Sequence, residues 1–444
     1  MRVAVVSGPD PGHAFPAAGL ALRLLAAGHR PTVYTGRRWL DRLQADGLAA
    51  VELPGLRAAA DDPDTDWGHR LHGRAAAAAP ALADLLRADP VDLVVADTLT
   101  ATGGLAAELV GLPWVELVPH ALQLPSIALP PPGTGLAPGR TPLGRGRDAL
   151  LRRLTARSAE LGRRQRSAAR VSIGLPAVDP GPAYRLVATL PALEPYRPDW
   201  PDRTGVVGPL HWEPAVVDLA PPPGTGPLIL VSPPTAVSGR PGILPAVLAA
   251  VAGLRTAGPP RPDPAAATGC AGRPVAARRA GRGGRAGRGG WAGTSGPAGG
   301  GPAGGPRLAA TVLAPVPGEV SGELPGWAAV GPGRQGPLLA AASVVVAGGG
   351  HGVLGKALAA GVPLVLVPGG GDQRDLSRRV ARLGAGVVIE RDATPRRLAA
   401  ALVRVLAEPA YRAAALAAAG SAAAVTDPVR LCAQAVTERA EGSW

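Results

Sequence analysis

The residues with the clearest chemical promise lie in the run Ser343 to Gln373, SVVVAGGGHGVLGKALAAGVPLVLVPGGGDQ. Gly348, Gly349, Gly350 and Gly352 surround His351, between a β-branched strand-like run, Ser343 to Val346, and a helix-favouring run, Leu354 to Ala360. Gly361 and Pro363 stop that helix. A glycine turn at a helix N-terminus points free backbone N–H groups outward, and the helix dipole adds to their attraction for an anion. Glycine also lets a phosphate approach without a Cβ in the way. The plainer reading is a tight strand-to-helix turn that needs glycine for conformation alone. A second apolar run, Pro363 to Val367, ends in another glycine turn and the polar pair Asp372-Gln373. Ligands of open α/β sheets bind at the carboxyl ends of strands. Two such turns on adjacent strands therefore favour a binding crevice.

Proton chemistry is available near the other end of the chain. An apolar strand, Arg2 to Val6, leads into Gly8-Pro9-Asp10-Pro11-Gly12-His13-Ala14-Phe15-Pro16, and a helix is expected over Pro16 to Ala27. His13 thus falls in a loop at a strand's carboxyl edge. Its ordinary pKa near neutrality suits a general base, although a loop histidine is more often a bystander. Pro90 to Asp97 reads as a strand ending in a carboxylate, where Asp97 is as well suited to cap a helix as to act in catalysis.

These groups must be positioned by alternating strands and helices. At 444 residues the chain is long enough for two α/β domains. Aromatics are only 3% of the composition, so the cores must be built from Leu, Val and Ala. The formal charge of +13 comes almost wholly from arginine, since Lys356 is the single lysine. Nucleic-acid binding is the functional reading of that charge, but solvated surface arginine accounts for it, and no nucleic-acid partner is expected. Two cysteines, Cys270 and Cys432, provide neither a disulfide framework nor a metal cluster and read as free thiols in a reducing compartment. The opening MRVAVVSG is a strand without a leader's apolar stretch, and no segment is long and apolar enough to span a bilayer. The expectation is a cytoplasmic protein with no stable membrane insertion.

In combination these motifs resemble the family 1 GT-B glycosyltransferases, which move sugars from nucleotide diphosphates to small acceptors. Lys356-Ala357-Leu358-Ala359-Ala360-Gly361-Val362-Pro363 and Pro368 to Gln373 keep the spacing of that family's donor signature, as does Gln335 in the approach to it. At the N-terminus Gly12-His13-x-x-Pro16 and the following Leu25-Ala26-Ala27-Gly28-His29 resemble the family's opening. Three positions depart from the pattern: Gly348 stands at the usual His, Val353 at the usual Thr and Lys356 at the usual Glu.

The resemblance implies two facing Rossmann-like domains with parallel sheets and a cleft between them. Residues 1–214 would bind the acceptor, 215–227 would link the domains and 228–426 would bind the donor. Residues 427–444 would return as a helix to the first domain. It further implies inverting, metal-independent transfer of a hexose to a hydroxyl of a natural-product-like acceptor, with no cofactor beyond the nucleotide-sugar co-substrate. His13 would be the base and Asp97 would orient it. Thr235, Gln335, Gly349, Gly350, His351 and Gly352 would contact the donor, with Asp372 and Gln373 holding sugar hydroxyls. His351, three residues beyond the family's usual His position, would serve the phosphates with a charge-assisted bond, and Lys356 would either reach them or face solvent. The rival reading is a relative that binds sugar nucleotides, or assists a partner, without turnover.

One stretch breaks the pattern. Gly258 to Pro306 is mostly Gly, Ala, Pro and Arg without apolar periodicity, which reads as disorder or as a shifted reading frame. The donor domain's second strand is expected about there, but apolar pattern returns only at Leu308 to Leu313.

Overall fold

The computed structural model describes residues 1–57, 66–214, 217–234, 239–257, 304–312, 323–390 and 392–442. Thr235, Cys270 and all but the last three residues of the Gly258 to Pro306 stretch lie outside the described residues.

The first 206 residues supply β1 (Arg2–Val6), β2 (Arg30–Thr35), β3 (Ala49–Glu52), β4 (Leu93–Asp97), β5 (Trp114–Val118), β6 (Tyr184–Val187) and β7 (Thr204–Val206). All pair in parallel, in the order β3-β2-β1-β4-β5-β6-β7. Parallel pairing forces a crossover between strands. These run through α1 (Pro11–Ala26), α2 (Leu40–Ala45), α3 (Arg74–Ala88), α4 (Thr102–Leu109) and α5 (Pro142–Val171). Both faces of the sheet are covered. In β1, Val3 and Val5 enter one core with α1, while Ala4 and Val6 enter another with α3.

A second parallel sheet runs β10-β9-β8-β11-β12-β13. Its strands are β8 (Leu228–Ser232), β9 (Arg307–Thr311), β10 (Ala328–Gly331), β11 (Ala342–Ala347), β12 (Leu364–Leu366) and β13 (Gly386–Val388). Its helices are α6 (Ile243–Ala257), α7 (Gln335–Ala341), α8 (His351–Ala359), α9 (Gln373–Leu383), α10 (Pro395–Ala407) and α11 (Pro409–Gly420). The second strand expected of this sheet is β9, which begins just past the Gly-, Ala- and Arg-rich stretch. A last helix, α12 (Pro428–Ala440), buries Leu431, Cys432 and Ala435 in the first sheet's core beside α1.

Two helices start earlier than the sequence suggested. α1 begins at Pro11, with Pro16 buried inside it, so His13 lies in the first helical turn and not in a loop. Two prolines compatible with a helix start stood five residues apart, and the tertiary core chose the first. α8 begins at His351, with Gly350 as its N-cap residue. α5 begins at Pro142, where the Thr141 hydroxyl accepts from Gly144 N–H and caps the helix.

Strand order decides where a site can form. In the first sheet the chain builds outward from β1 on one side and then crosses to β4, so β1 and β4 are neighbours whose following loops diverge. In the second, β8 and β11 stand in the same relation. Each reversal opens a crevice at the carboxyl edge of its sheet.

Candidate active site

His13 follows β1 and Asp97 ends β4, so the first crevice brings together two residues 84 positions apart. The ring Nδ1–H donates to Asp97 Oδ1 at 2.8 Å. That bond fixes the tautomer and leaves Nε2 as the basic nitrogen of the neutral ring. Asp97 is 2% exposed, and its other oxygen accepts from Leu99 N–H and the Thr100 hydroxyl, each at 3.1 Å. With these partners the carboxylate is held in one orientation. Burial of the His13 ring works against its charged form. The charge and hydrogen bond of Asp97, with the more distant Asp10 and Asp372, outweigh it, and the pKa lies above the ordinary histidine value.

The helix carrying His13 is itself anchored. Phe15, the only phenylalanine, meets Trp39 and Trp212 edge-to-face at 5.1 and 5.4 Å between ring centroids. Such pairs contribute about 0.5–1.5 kcal/mol each beyond their buried area. Trp212 Nε1–H also donates to Asp46 at 2.5 Å. On the same helix a Cβ at Gly19 would stand 2.8 Å from the backbone of His211, so glycine permits the close approach of this segment.

The second crevice is built from backbone. The N-terminal turn of α8 follows β11, and its glycines have different jobs. Gly349 has φ +85°, and a Cβ there would lie 2.3 Å from Ser377 Oγ and 3.0 Å from the Gln373 carbonyl oxygen on α9. It serves packing. A Cβ on Gly350 or Gly352 would meet nothing within 4 Å, so the space over the helix N-terminus is open at both. At Gly348 a Cβ would make only ordinary contacts, 3.6 Å or longer.

Side chains around this turn depart from the sequence-based expectations. His351 was expected to contact phosphates as a charged donor. Its Nε2 instead lies 2.8 Å from Thr189 Oγ1, beyond β6 of the first sheet, and its ring also bonds the backbone of Pro119. Burial, aided by Arg379 and by the protonated forms of His120 and His211, pushes its pKa down to about 3, so the ring is neutral at physiological pH. Lys356 neither reaches toward the turn nor faces solvent. Its Nζ donates to Glu213 at 2.8 Å and to Gln335 Oε1 at 3.3 Å. The Gln335 amide in turn donates to Ser232 and Thr311 at 3.1 and 3.0 Å, so its side chain ties β8 and β9 together and is not free for a ligand. Burial alone would raise the Glu213 pKa, but Lys356 and the N–H groups of Gly336 and Gln335 hold it below the usual carboxylate range.

Asp372 and Gln373 sit at the start of α9. Gln373 is 5% exposed, and its Oε1 accepts from Gly369 N–H at 3.0 Å, closing the turn after β12. Asp372 is half-buried and near enough to His13 and His120 for its charge to favour the protonated form of each. The two crevices therefore face one another. His120, which the sequence reading passed over, joins them. It lies two residues past the end of β5, a strand-end position that topology marks for function, and its Nδ1–H donates to the Ala121 carbonyl at 2.9 Å. Burial lowers its pKa. Among the described residues no group of three His, Cys, Asp or Glu side chains could hold a metal ion, and no helix is long and apolar enough to cross a membrane.

Comparison with known proteins agrees with this layout. Residues 328–437 match the family described as erythromycin biosynthesis protein CIII-like, C-terminal domain. The chain is 35% identical over 127 residues to the L-demethylnoviosyl transferase of Streptomyces niveus, an overlap of 26% of this chain and 34% of that protein. It thus spans about a third of the length of that curated relative. Along nearly its whole length the chain superposes on the glycotransferase of kitacinnamycin, with a TM-score of 0.68 and 22% identity over 99% of this chain and 98% of the other. It also superposes on the glycosyltransferase VinC in complex with DTDP, at 0.63 and 21% over 99% and 100%. At such identities these likenesses establish the fold, two parallel sheets in the GT-B arrangement.

Proposed function

We propose that this GT-B chain is an inverting glycosyltransferase, moving a hexose from a nucleotide diphosphate sugar to a hydroxyl of a small, natural-product-like acceptor. In this reading residues 1–214 bind the acceptor, 228–426 bind the donor, and 427–444 tie the last helix to the first domain. One observation carries the reading: a rigidly held His13–Asp97 pair at one strand-order reversal faces an open helix N-terminus at the other.

The acceptor hydroxyl gives its proton to His13 Nε2 as its oxygen attacks the anomeric carbon from the face opposite the leaving group. The bond from that carbon to the diphosphate breaks, and the diphosphate keeps the electron pair. Asp97 stabilises the imidazolium that forms. The backbone N–H groups at the start of α8 receive the developing negative charge, which a helix N-terminus favours. In this reading Asp372, half-buried between the crevices, holds a sugar hydroxyl. The intact base pair supports turnover over a purely binding role.

The test is a panel of nucleotide diphosphate sugars. One of them should raise the melting temperature and be slowly hydrolysed, with free nucleoside diphosphate as product. His13→Ala should lower turnover with an acceptor by roughly two to four orders of magnitude, while nucleotide affinity stays near that of the unmodified protein. Full turnover in that variant would sink the assignment.

A further inference from the structure

α5 is unlike the other helices among the described residues. It runs for 30 residues, roughly 45 Å, yet only Asp148 and Arg170 are buried along it. It is pinned to the body at both ends. Asp148 accepts from Gly139 N–H at 2.7 Å, and Arg152 donates to the Leu129 carbonyl at 2.8 Å. Near its C-terminus the Arg170 guanidinium forks onto Glu108 at 2.9 and 2.6 Å.

The opposite face carries leucines. Leu143, Leu150, Leu154 and Leu161 are 88%, 58%, 67% and 57% exposed. Their spacing of seven, four and seven residues puts all four within about 20° of one line along the helix, while Asp148, Arg152 and Arg170 lie about 140° to 180° round. A straight, one-residue-wide leucine line is the seam of a coiled coil. Isolated exposed leucines need no explanation, but four aligned on an otherwise arginine-rich helix do.

Charge indicates what covers the seam. The helix holds nine arginines against two acids, Asp148 and Glu160. Both acids are already engaged, by Arg147 and by Arg163 and Arg164. Arg153 and Arg157, flanking the seam, are exposed and have no acidic partner among the described residues. A second copy of the helix would oppose like charges. A lipid surface needs a broad apolar face, and here Arg157 stands within about 40° of the leucine line.

We infer that the exposed face of α5 docks a second, different protein through a helix with apolar residues at heptad spacing and Asp or Glu on its flanks. The full chain is titrated with a labelled synthetic helix of about four heptads, with leucine at the seam and glutamate on both flanks. The expected result is saturable binding that weakens with added salt. Leu150→Ser with Leu154→Ser, and separately Arg153→Gln with Arg157→Gln, should each weaken it at least tenfold at unchanged melting temperature. Four outcomes overturn the inference. One is no binding of the acidic helix, and another is equal binding of a lysine-flanked version. The third is recruitment to phosphatidylserine vesicles abolished by the same leucine substitutions. The last is self-association of the chain that those substitutions abolish.

Discussion

The two halves of the cleft use one topology and opposite chemistry. At the β1–β4 reversal the candidate groups are side chains, and the bonds that hold the Asp97 carboxylate and the His13 ring leave Nε2 as the basic nitrogen. At the β8–β11 reversal the nearby side chains are committed to the scaffold: His351 to Thr189, Lys356 to Glu213, and Gln335 to two strand ends. Among the described residues, what remains for an anion there is backbone. A proton acceptor must be tuned, which needs a side chain with a chosen environment. A diphosphate needs many donors and no titration, which a helix N-terminus supplies.

That contrast is most exposed to test at the glycine turn. Gly350→Val puts its Cβ into open space above α8, so the fold should persist while nucleotide diphosphate affinity falls by about a hundredfold or more. Gly349→Ala should do the reverse in kind. Its φ of +85° and the crowding by Ser377 predict a stability loss of about 1–3 kcal/mol, read by denaturant unfolding. Unchanged calorimetric affinity in Gly350→Val would move the anion site elsewhere and dissolve the contrast.

A smaller effect is expected at Asp97. Asp97→Asn should reduce turnover roughly 10- to 100-fold and also shift its pH dependence. In the proposed reaction His13 acts as the neutral base, so its raised pKa puts the expected rising limb of activity above the ordinary histidine value. Without the carboxylate the burial of the ring prevails, so the limb should move to lower pH. A limb that stays in place would show that Asp97 does not set the base.

The smallest effect on binding is expected at His351. Because its ring is neutral and bonded to Thr189, His351→Ala should leave nucleotide diphosphate affinity within about threefold and cost about 1 kcal/mol of stability. Its folded pKa of about 3 lies below the unfolded value of 6.5. The unfolded chain therefore takes up the proton first as the pH falls. The contribution of His351 to stability is complete above that unfolded value and declines as the pH drops from there toward 3. Urea unfolding across that window should show a flatter profile in the variant. A large loss of nucleotide affinity would return His351 to the phosphates.

Much of the fold was legible in the sequence because its signals are local. β-branched runs ending at glycine turns mark buried parallel strands, and alternating helices dictate a doubly covered sheet. His13, Asp97 and the Gly348–Gly352 turn could be singled out for the same reason: each sits at or beyond the carboxyl end of a strand, where α/β sheets place ligands. Helix starts were less legible, since Pro11 and Pro16 carry equal local signals and only packing separates them. The position of β9 was obscured by the long stretch before it, which carries no apolar period.

By itself the sequence determined the strands, the glycine turns and a short list of reactive side chains. Tertiary structure alone decided what each of those side chains is bonded to. Lys356 meets Glu213 across 143 positions and His351 meets Thr189 across 162, so neither pairing leaves a local trace in the chain. Gly349 and Gly350 are adjacent and chemically identical, yet one lies against Ser377 and the other opens to the cleft. Desolvation and partner charge set whether a histidine is a base or a neutral strut, and both are properties of the surroundings that folding assembles.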